Sequence, residues 1–397
     1  MPMIISRIVQ ALEPSATMAM AAKAKELKGA GRTVYDLSLG EPDFTTPEHI
    51  CQAAVEAMQA GHTHYTPASG IPELKQAVVE QYEAAHGLKY TPGQVVVANG
   101  AKHALHNVFT VLLDPGDEVI IPAPYWVSYA ELVKLTGARP VIVETTEASD
   151  FKLSAAQLTA ALTERTKILL LCSPSNPTGS MYAPEEMAAL ADVAEARDLV
   201  VVADEIYDRL VYEGHRSASF ATVRPGIAAR TVIVNGVSKT YAMTGWRIGW
   251  SISPPNVARA IGDLQSQQTS NPCSISQHAA VTAIRGPQQC VASMRGEFAC
   301  RREFVLRRIR EIPGISCAEI GGAFYAFINI REHLGRVYGG TQVDSSTQWC
   351  LELLAQKGVA TVMGSAFGAE GYARVSFAAG MDVLQAAFNG IEEFVSG

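Results

Sequence analysis

The chain has 397 residues, 48% hydrophobic and 18% charged, which is enough to bury a large core and is most naturally divided into two domains. Its formal net charge of −7, with no Lys/Arg block, argues against a nucleic-acid or anionic-membrane partner. The seven cysteines are scattered, with no CxxC or Cys/His spacing, so free thiols are expected rather than disulfides or zinc.

No apolar run reaches the length of a spanning helix, and Met1–Val9 lacks the pattern of a secretory leader, so a cytoplasmic location is expected. Short apolar runs then alternate with amphipathic stretches. Strands are predicted at 95–98, 118–121, 140–143, 168–172, 199–203, 231–235 and 248–251. Most are continuous rather than alternating, as in strands covered on both faces. A helix is predicted over 184–197, with a proline and two acids in its first turn. The alternation predicts an α/β fold: a large domain with a mainly parallel sheet flanked by helices. Past residue 290 the pattern changes. A charged helix through 301–310 and apolar runs at 323–330, 359–362 and 373–377 predict a smaller α+β domain. Residues 1–45 are expected to pack with that domain (291–397), which makes it discontinuous; 46–290 form the large one.

In parallel sheets ligands bind at the carboxyl ends of strands, so the residues following each strand carry the functional reading. After 95–98 comes Asn99-Gly100-Ala101-Lys102, opening a helix whose free N–H groups could cradle a phosphate. Most such turns contain glycine and bind nothing. After 168–172 comes Ser173-Pro174-Ser175-Asn176-Pro177-Thr178-Gly179, where two prolines stiffen the backbone around Asn176. It is either a rigid turn or a directed hydrogen-bond donor. After 199–203 comes Asp204, a carboxylate costly to bury without a partner; a metal or a protonated ring nitrogen would satisfy it, and so would a role as cap of a following helix. After 231–235 comes Gly236-Val237-Ser238-Lys239, with Arg247 further on. A lysine there is suited to imine chemistry if its pKa is lowered; the alternative is a surface lysine at a helix start, where the helix dipole disfavours it. One cofactor needs all four features: pyridoxal phosphate takes a lysine, an acid for its ring nitrogen, donors for its phenolate and a phosphate cup. Clustered metal ligands, GxGxxG and a P-loop are all missing.

Several segments in fixed order carry a family resemblance: LSLGEPDF (37–44), HYTPASGIPEL (64–74), ANGAKHAL (98–105), PAPYWVSY (122–129), SPSNPTG (173–179), ADEIYDRLVY (203–212), SKTYAMTGWRIGW (238–250) and ARVSFA (373–378). Over essentially its whole length the chain resembles the class I pyridoxal-phosphate aminotransferases of fold type I, in the bacterial aspartate aminotransferase subgroup. The resemblance implies that Lys239 carries the cofactor and shuttles the Cα proton, and that Asp204 keeps the ring nitrogen protonated. It implies that Tyr207 and Asn176 hydrogen-bond the phenolate oxygen and Trp126 stacks on the ring. Backbone N–H groups of Ala101 and Lys102, Arg247, Ser238 and a partner subunit's Tyr65 would hold the phosphate. Arg374 would fork onto the substrate α-carboxylate, with Gly40, Trp126, Asn176 and Lys102 also at the substrate. Ser270 and Asn271 would reach a neighbouring site across a homodimer.

The implied reaction is ping-pong transamination between amino acids and 2-oxo acids, most simply L-aspartate and 2-oxoglutarate to oxaloacetate and L-glutamate. Lys102 with Thr17 is associated in this subgroup with an acidic substrate side chain. Glu13 stands where prephenate-using relatives carry a basic residue. Aromatic, alanine or prephenate specificity, elimination or decarboxylation with the same cofactor, and a non-catalytic aminotransferase-like regulator are the competing readings.

Overall fold

Runs of Val, Ile and Leu that are buried on both faces build the principal sheet of the computed structural model, which describes residues 3–397. The first strand, β1 (Tyr35–Asp36), lies apart. β2 (Val95–Ala98), β3 (Glu118–Ala123), β4 (Arg139–Glu144), β5 (Thr166–Cys172), β6 (Val200–Asp204), β7 (Thr231–Gly236) and β8 (Gly249–Ile252) then form a seven-stranded sheet. Its order is β2-β8-β7-β6-β5-β3-β4. Each strand lies within two residues of its predicted limits. All neighbours run parallel except β8, which is antiparallel to β2 and β7.

Successive side chains enter opposite cores, as the two-residue period of a strand requires. Val96, Ile121, Leu170, Val202 and Val234 pack on one face beneath the helices Ala101–Leu112 and Ser128–Lys134. Val97 and Ile233 pack on the other with Leu74 and Val78 of the helix Pro72–His86, and Leu169 and Val201 with Leu190 of Pro184–Ala196.

The same period separates two adjacent acids. Asp204 follows Val202 onto the first face, and Glu205 turns to the second. Glu205 is 4% exposed and accepts hydrogen bonds from Ser219 Oγ (2.7 Å), Phe220 N (3.1 Å) and Tyr82 Oη (3.3 Å). Burial pushes its carboxyl up to about 8, and the neighbouring Asp208 carboxylate adds to the rise. A carboxyl raised this way stabilises the fold fully below its unfolded value. That stability is lost as the pH climbs through the folded one. Glu205→Gln should therefore gain several degrees in Tm over the parent at pH 8–9 and nothing at pH 4–5. Parallel Tm–pH curves for the two proteins would refute this.

In the C-terminal part, β9 (Ser316–Cys317), β10 (Tyr325–Asn329), β11 (Arg336–Tyr338), β12 (Thr341–Val343), β13 (Val359–Ala360), β14 (Val362–Met363) and β15 (Tyr372–Ser376) follow. β14-β15-β10-β9 is an antiparallel sheet, and β11-β12 is a hairpin. The apolar run 359–362 holds two short strands: Thr361 is fully buried between them and donates to Cys350 Sγ (3.2 Å). β13 instead pairs in parallel with β1, Tyr35 opposite Val359. Met20, Ala24 and Leu37 accordingly share one core with Trp349, Leu353 and Phe388. The charged helix is longer than its predicted 301–310, spanning Gln289–Glu311. Its buried Arg301 pairs with Asp43 (2.7 Å) and Glu297 (3.0 Å) between the rings of Phe44 and Phe298, which moors the 40–44 turn.

Candidate active site

Five strand ends and the 38–41 turn open onto one cavity of about 460 Å³. Its wall includes Gly40, Ala101, Lys102, Trp126, Asn176, Asp204, Tyr207, Ser238, Lys239, Arg247 and Arg374, so nearly every site residue expected from the sequence is gathered in one place.

Lys239 lies three residues past β7, in a turn rather than at a helix start. Gly236 makes this possible: a Cβ there would lie 2.8 Å from Ile248 O and 2.9 Å from Gly249 Cα. Lys239 Nζ donates to Gly40 O at 2.6 Å. Burial pulls its pKa down to about 8; Glu41 opposes the fall, and Arg247 and Arg374 add to it.

Asp204 ends β6, paired with Val234, and no helix follows for it to cap. Its Oδ2 accepts from Tyr129 Oη (2.7 Å) and its Oδ1 from Ile206 N (3.1 Å). Burial pushes the carboxyl up to about 6 against the pull of both hydrogen bonds and the Lys239 charge.

Arg374 is 1% exposed, with its guanidinium over the rings of Tyr325 (4.6 Å) and Phe367 (5.0 Å). Nη1 donates to Asn176 Oδ1 (3.0 Å) and Nη2 to Ser38 O (2.6 Å), while Nε has no partner. No carboxylate pairs with it among the described residues. A buried cation without counter-charge is costly, and an anionic ligand is its natural complement.

At the other strand ends, Arg247 has a left-handed backbone (φ 56) and donates to Thr244 O (2.8 Å) and Asn99 O (3.3 Å). Its guanidinium lies where any Cβ on Gly100 would sit, and Gly100 itself has φ 86. Beside it the first N–H groups of the helix Ala101–Leu112 lack intrahelical acceptors. A cation over free helix N–H groups suits a phosphate. Lys102 Nζ stands 4.9 Å above the Trp126 ring, its pKa lowered by burial and then by Arg247. Tyr207 Oη and Tyr325 Oη are 2.9 Å apart, and burial drives both hydroxyls upward.

Three of the residues named from the sequence lie outside the cavity wall. Tyr65 is 91% exposed, and Ser270 and Asn271 are also absent from the lining. Thr17 does line it, with a buried, unpartnered Oγ1 beside Ser15 and Met18. The sequence reading missed Tyr129, Tyr325, Ser38, Cys172 and the pair Glu41–Thr244 (2.7 Å). Tyr129 had a signal, since it is an aromatic hydroxyl six residues after a strand end, within the segment PAPYWVSY (122–129). Tyr325 had only a hydroxyl within an apolar run.

Two observations fit pyridoxal phosphate. The Gly100 cradle that a Cβ would fill suits a phosphate, and a buried acid with a raised pKa facing a depressed lysine suits a cationic ring nitrogen and an imine-forming amine.

Comparison with known proteins agrees. Residues 32–386 match the family described as aminotransferase class I and II. The chain is 48% identical over 393 residues to an aspartate aminotransferase of Geobacillus stearothermophilus, covering 99% of both chains. It is 45% identical over 395 residues to an aspartate/prephenate aminotransferase of Cereibacter sphaeroides, again covering 99% of each. Among solved structures, the aspartate aminotransferase of Rhizobium meliloti superposes with a TM-score of 0.96 at 40% identity, covering 100% of this chain and 99% of that one. That of Thermus thermophilus with maleate gives 0.93 at 38%, covering 99% and 100%. The chain belongs to the class I and II aminotransferases and is an enzyme of amino-group transfer.

Proposed function

We propose that the enzyme transfers the amino group between L-aspartate and 2-oxoglutarate, using pyridoxal phosphate held on Lys239. The observation that carries the substrate reading is a cavity with two separate provisions for anions. One is the uncompensated Arg374; the other is Lys102 with the unpartnered Thr17 Oγ1. A dicarboxylate uses both.

Arg247, Ser238 and the N–H groups of Ala101 and Lys102 would hold the phosphate, Trp126 would cover the ring face, and Asn176 and Tyr207 would reach the phenolate oxygen. Bound there, the cofactor supplies an electron sink for charge developing at the substrate Cα. Arg374 grips the α-carboxylate with its fork, held by Ser38 O and Asn176 Oδ1. Gly40 leaves room for that approach: a Cβ there would meet Tyr325 Oη at 2.9 Å. Lys239 Nζ would take the proton from the donor's Cα and pass it on within the same half-reaction, and in the reverse half-reaction would deliver a proton to the Cα of the amino acid formed. The Lys239 pKa, lowered to about 8 in the cofactor-free protein, favours the neutral amine that acts as a base. Asp204, fixed by Tyr129, holds the proton on the ring nitrogen, and Tyr325 orients the Tyr207 hydroxyl.

Residues 46–290 would form the cofactor domain, and 291–397, joined by 1–45, the smaller domain that carries Arg374. The exposure of Tyr65 supports a homodimer in which a second copy brings this phenol to the phosphate.

Side-by-side kinetics with aspartate, phenylalanine, alanine and prephenate test the reading, which is lost if aspartate is not among the better substrates. Lys102→Ala should raise KM for aspartate about tenfold or more, in line with one lost charged hydrogen bond, and leave KM for alanine within about twofold. An equal loss for both substrates, tracking cofactor affinity, would assign Lys102 to the phosphate instead.

A further inference from the structure

We propose that the segment 145–153 is a strut from the main sheet to the second sheet, and that its Phe151 is a positioning residue for Arg374. The inference deepens the reading of Arg374 as the carboxylate fork and rests on it.

Both ends of the segment are fixed to the main-sheet side. Thr145 donates to Ala123 O through its N (3.1 Å) and Oγ1 (2.6 Å), and Leu153 N donates to Tyr182 Oη (2.8 Å). Between them Asp150 and Phe151 are consecutive left-handed residues, φ 51 and 55, and neither is glycine. L-residues visit this region singly and at a cost, so a pair of them persists only where the surroundings over-determine it. Here Asp150 N donates to Glu147 O (2.9 Å) and Phe151 N to Thr146 O (2.8 Å).

The conformation drives a side chain of the β4–β5 connection into the second sheet. The Phe151 ring, 6% exposed, meets Phe327 at 5.7 Å and Tyr372 at 5.3 Å, both edge-on. Four residues earlier, Glu147 accepts from Asn329 Nδ2 (2.7 Å), Ser316 Oγ (3.0 Å) and Tyr372 Oη (3.4 Å), one residue on each of three strands.

Contiguous packing leads from there to the fork. Tyr372 and Arg374 are two apart on β15 and share a face. Phe327 of β10 is the register partner of Arg374 and stacks on Tyr372 at 5.0 Å. Phe327 also meets Phe367 edge-on at 5.9 Å, and Phe367 is the ring beneath the Arg374 guanidinium. Phe151 and Asn176, which accepts from Arg374 Nη1, both line a second, water-sized void of about 30 Å³. Phe151 thus packs against the apolar support of the fork and shares a void with its polar one. An ordinary core side chain would affect stability alone. A strut affects the affinity for carboxylates.

The test uses holoenzyme of Phe151→Leu, which keeps an apolar side chain but loses the ring edges, and of Glu147→Gln as a second variant. Succinate, a non-reactive dicarboxylate, is titrated by cofactor absorbance alongside KM, kcat and Tm. Phe151→Leu should weaken succinate binding and raise KM for both the amino acid and the oxo acid about tenfold, with kcat and the ligand-free spectrum unchanged, because misplacing the fork costs binding common to ground and transition states. Glu147→Gln should move the same quantities in the same direction by about threefold. Variants that lower Tm yet bind succinate and substrates like the parent overturn the proposal. Arg374→Lys separates the two readings. If it leaves KM and succinate binding unchanged, the fork assignment itself falls; if it weakens both while Phe151→Leu and Glu147→Gln do not, only the strut falls.

Discussion

Lys239→Ala should lower kcat by on the order of 10⁴-fold or more, because the proposed function gives one side chain both the covalent attachment and the base. Either role alone accounts for orders of magnitude, and no neighbour replaces it. Tyr207 and Tyr325 are held protonated by burial, and Asp204 is committed to Tyr129 and Ile206. The loss should not come from unfolding. A lysine whose folded pKa is lowered to about 8 costs the fold stability below that pH, and the cost disappears as the pH rises toward the ordinary lysine value. Removing the amine should therefore leave Tm at pH 7 equal or slightly higher. The parent should show a visible cofactor band that responds to pH, and the variant should not. If both proteins carry the same pH-sensitive band, the attachment site is some other residue.

The position of Lys239 was legible because strand burial is legible. Continuous runs such as Val95–Ala98 and Ile168–Cys172 fix where strands stop, and a parallel sheet gathers those stops on one edge. The antiparallel course of β8 was not legible, since a buried strand reads alike in either direction. Nor was the break at Thr361: one β-branched hydroxyl does not announce that Ala360 and Val362 leave for different sheets. In the site, most of the residues proposed to touch a ligand lie at strand ends of the main sheet and could be found. Those that hold them, such as Tyr129 on Asp204 and Ser38 O on Arg374, come from a helix face and a main-chain carbonyl. Their side-chain pattern is that of ordinary core or loop. Phe151 is the extreme case. In sequence it is one aromatic after an acidic turn, and only the two left-handed residues and the rings around it reveal its place. Tyr65, exposed and outside the cavity wall, is reached from the sequence only through the family motif, and its proposed place at the phosphate rests on the homodimer proposed above.

A trade between stability and function runs through the cavity: a carboxyl held up, an amine held down, and a guanidinium without a counter-ion. Asp204→Asn tests it at its sharpest. Its folded pKa of about 6 stands above the ordinary 3.8. The stability tied to the protonated form is complete below the lower value and is lost as the pH rises through the higher one. That difference amounts to about 3 kcal/mol by pH 7 in the cofactor-free protein. Asparagine does not titrate, and it can still accept from Ile206 N and meet the Tyr129 hydroxyl. Cofactor-free Asp204→Asn should therefore match the parent in Tm near pH 4 and exceed it increasingly toward pH 7. Activity should move the other way. Without a carboxylate the ring nitrogen has nothing to hold its proton, and losing one partner of a desolvated charge pair costs about 4 kcal/mol, or kcat lower by about 10³-fold. The cofactor should also reverse the stability order, since the parent's ionised acid then faces a cation. An asparagine variant that turns over like the parent, or is the less stable of the two without cofactor at pH 7, would separate Asp204 from the ring nitrogen and leave its burial unexplained.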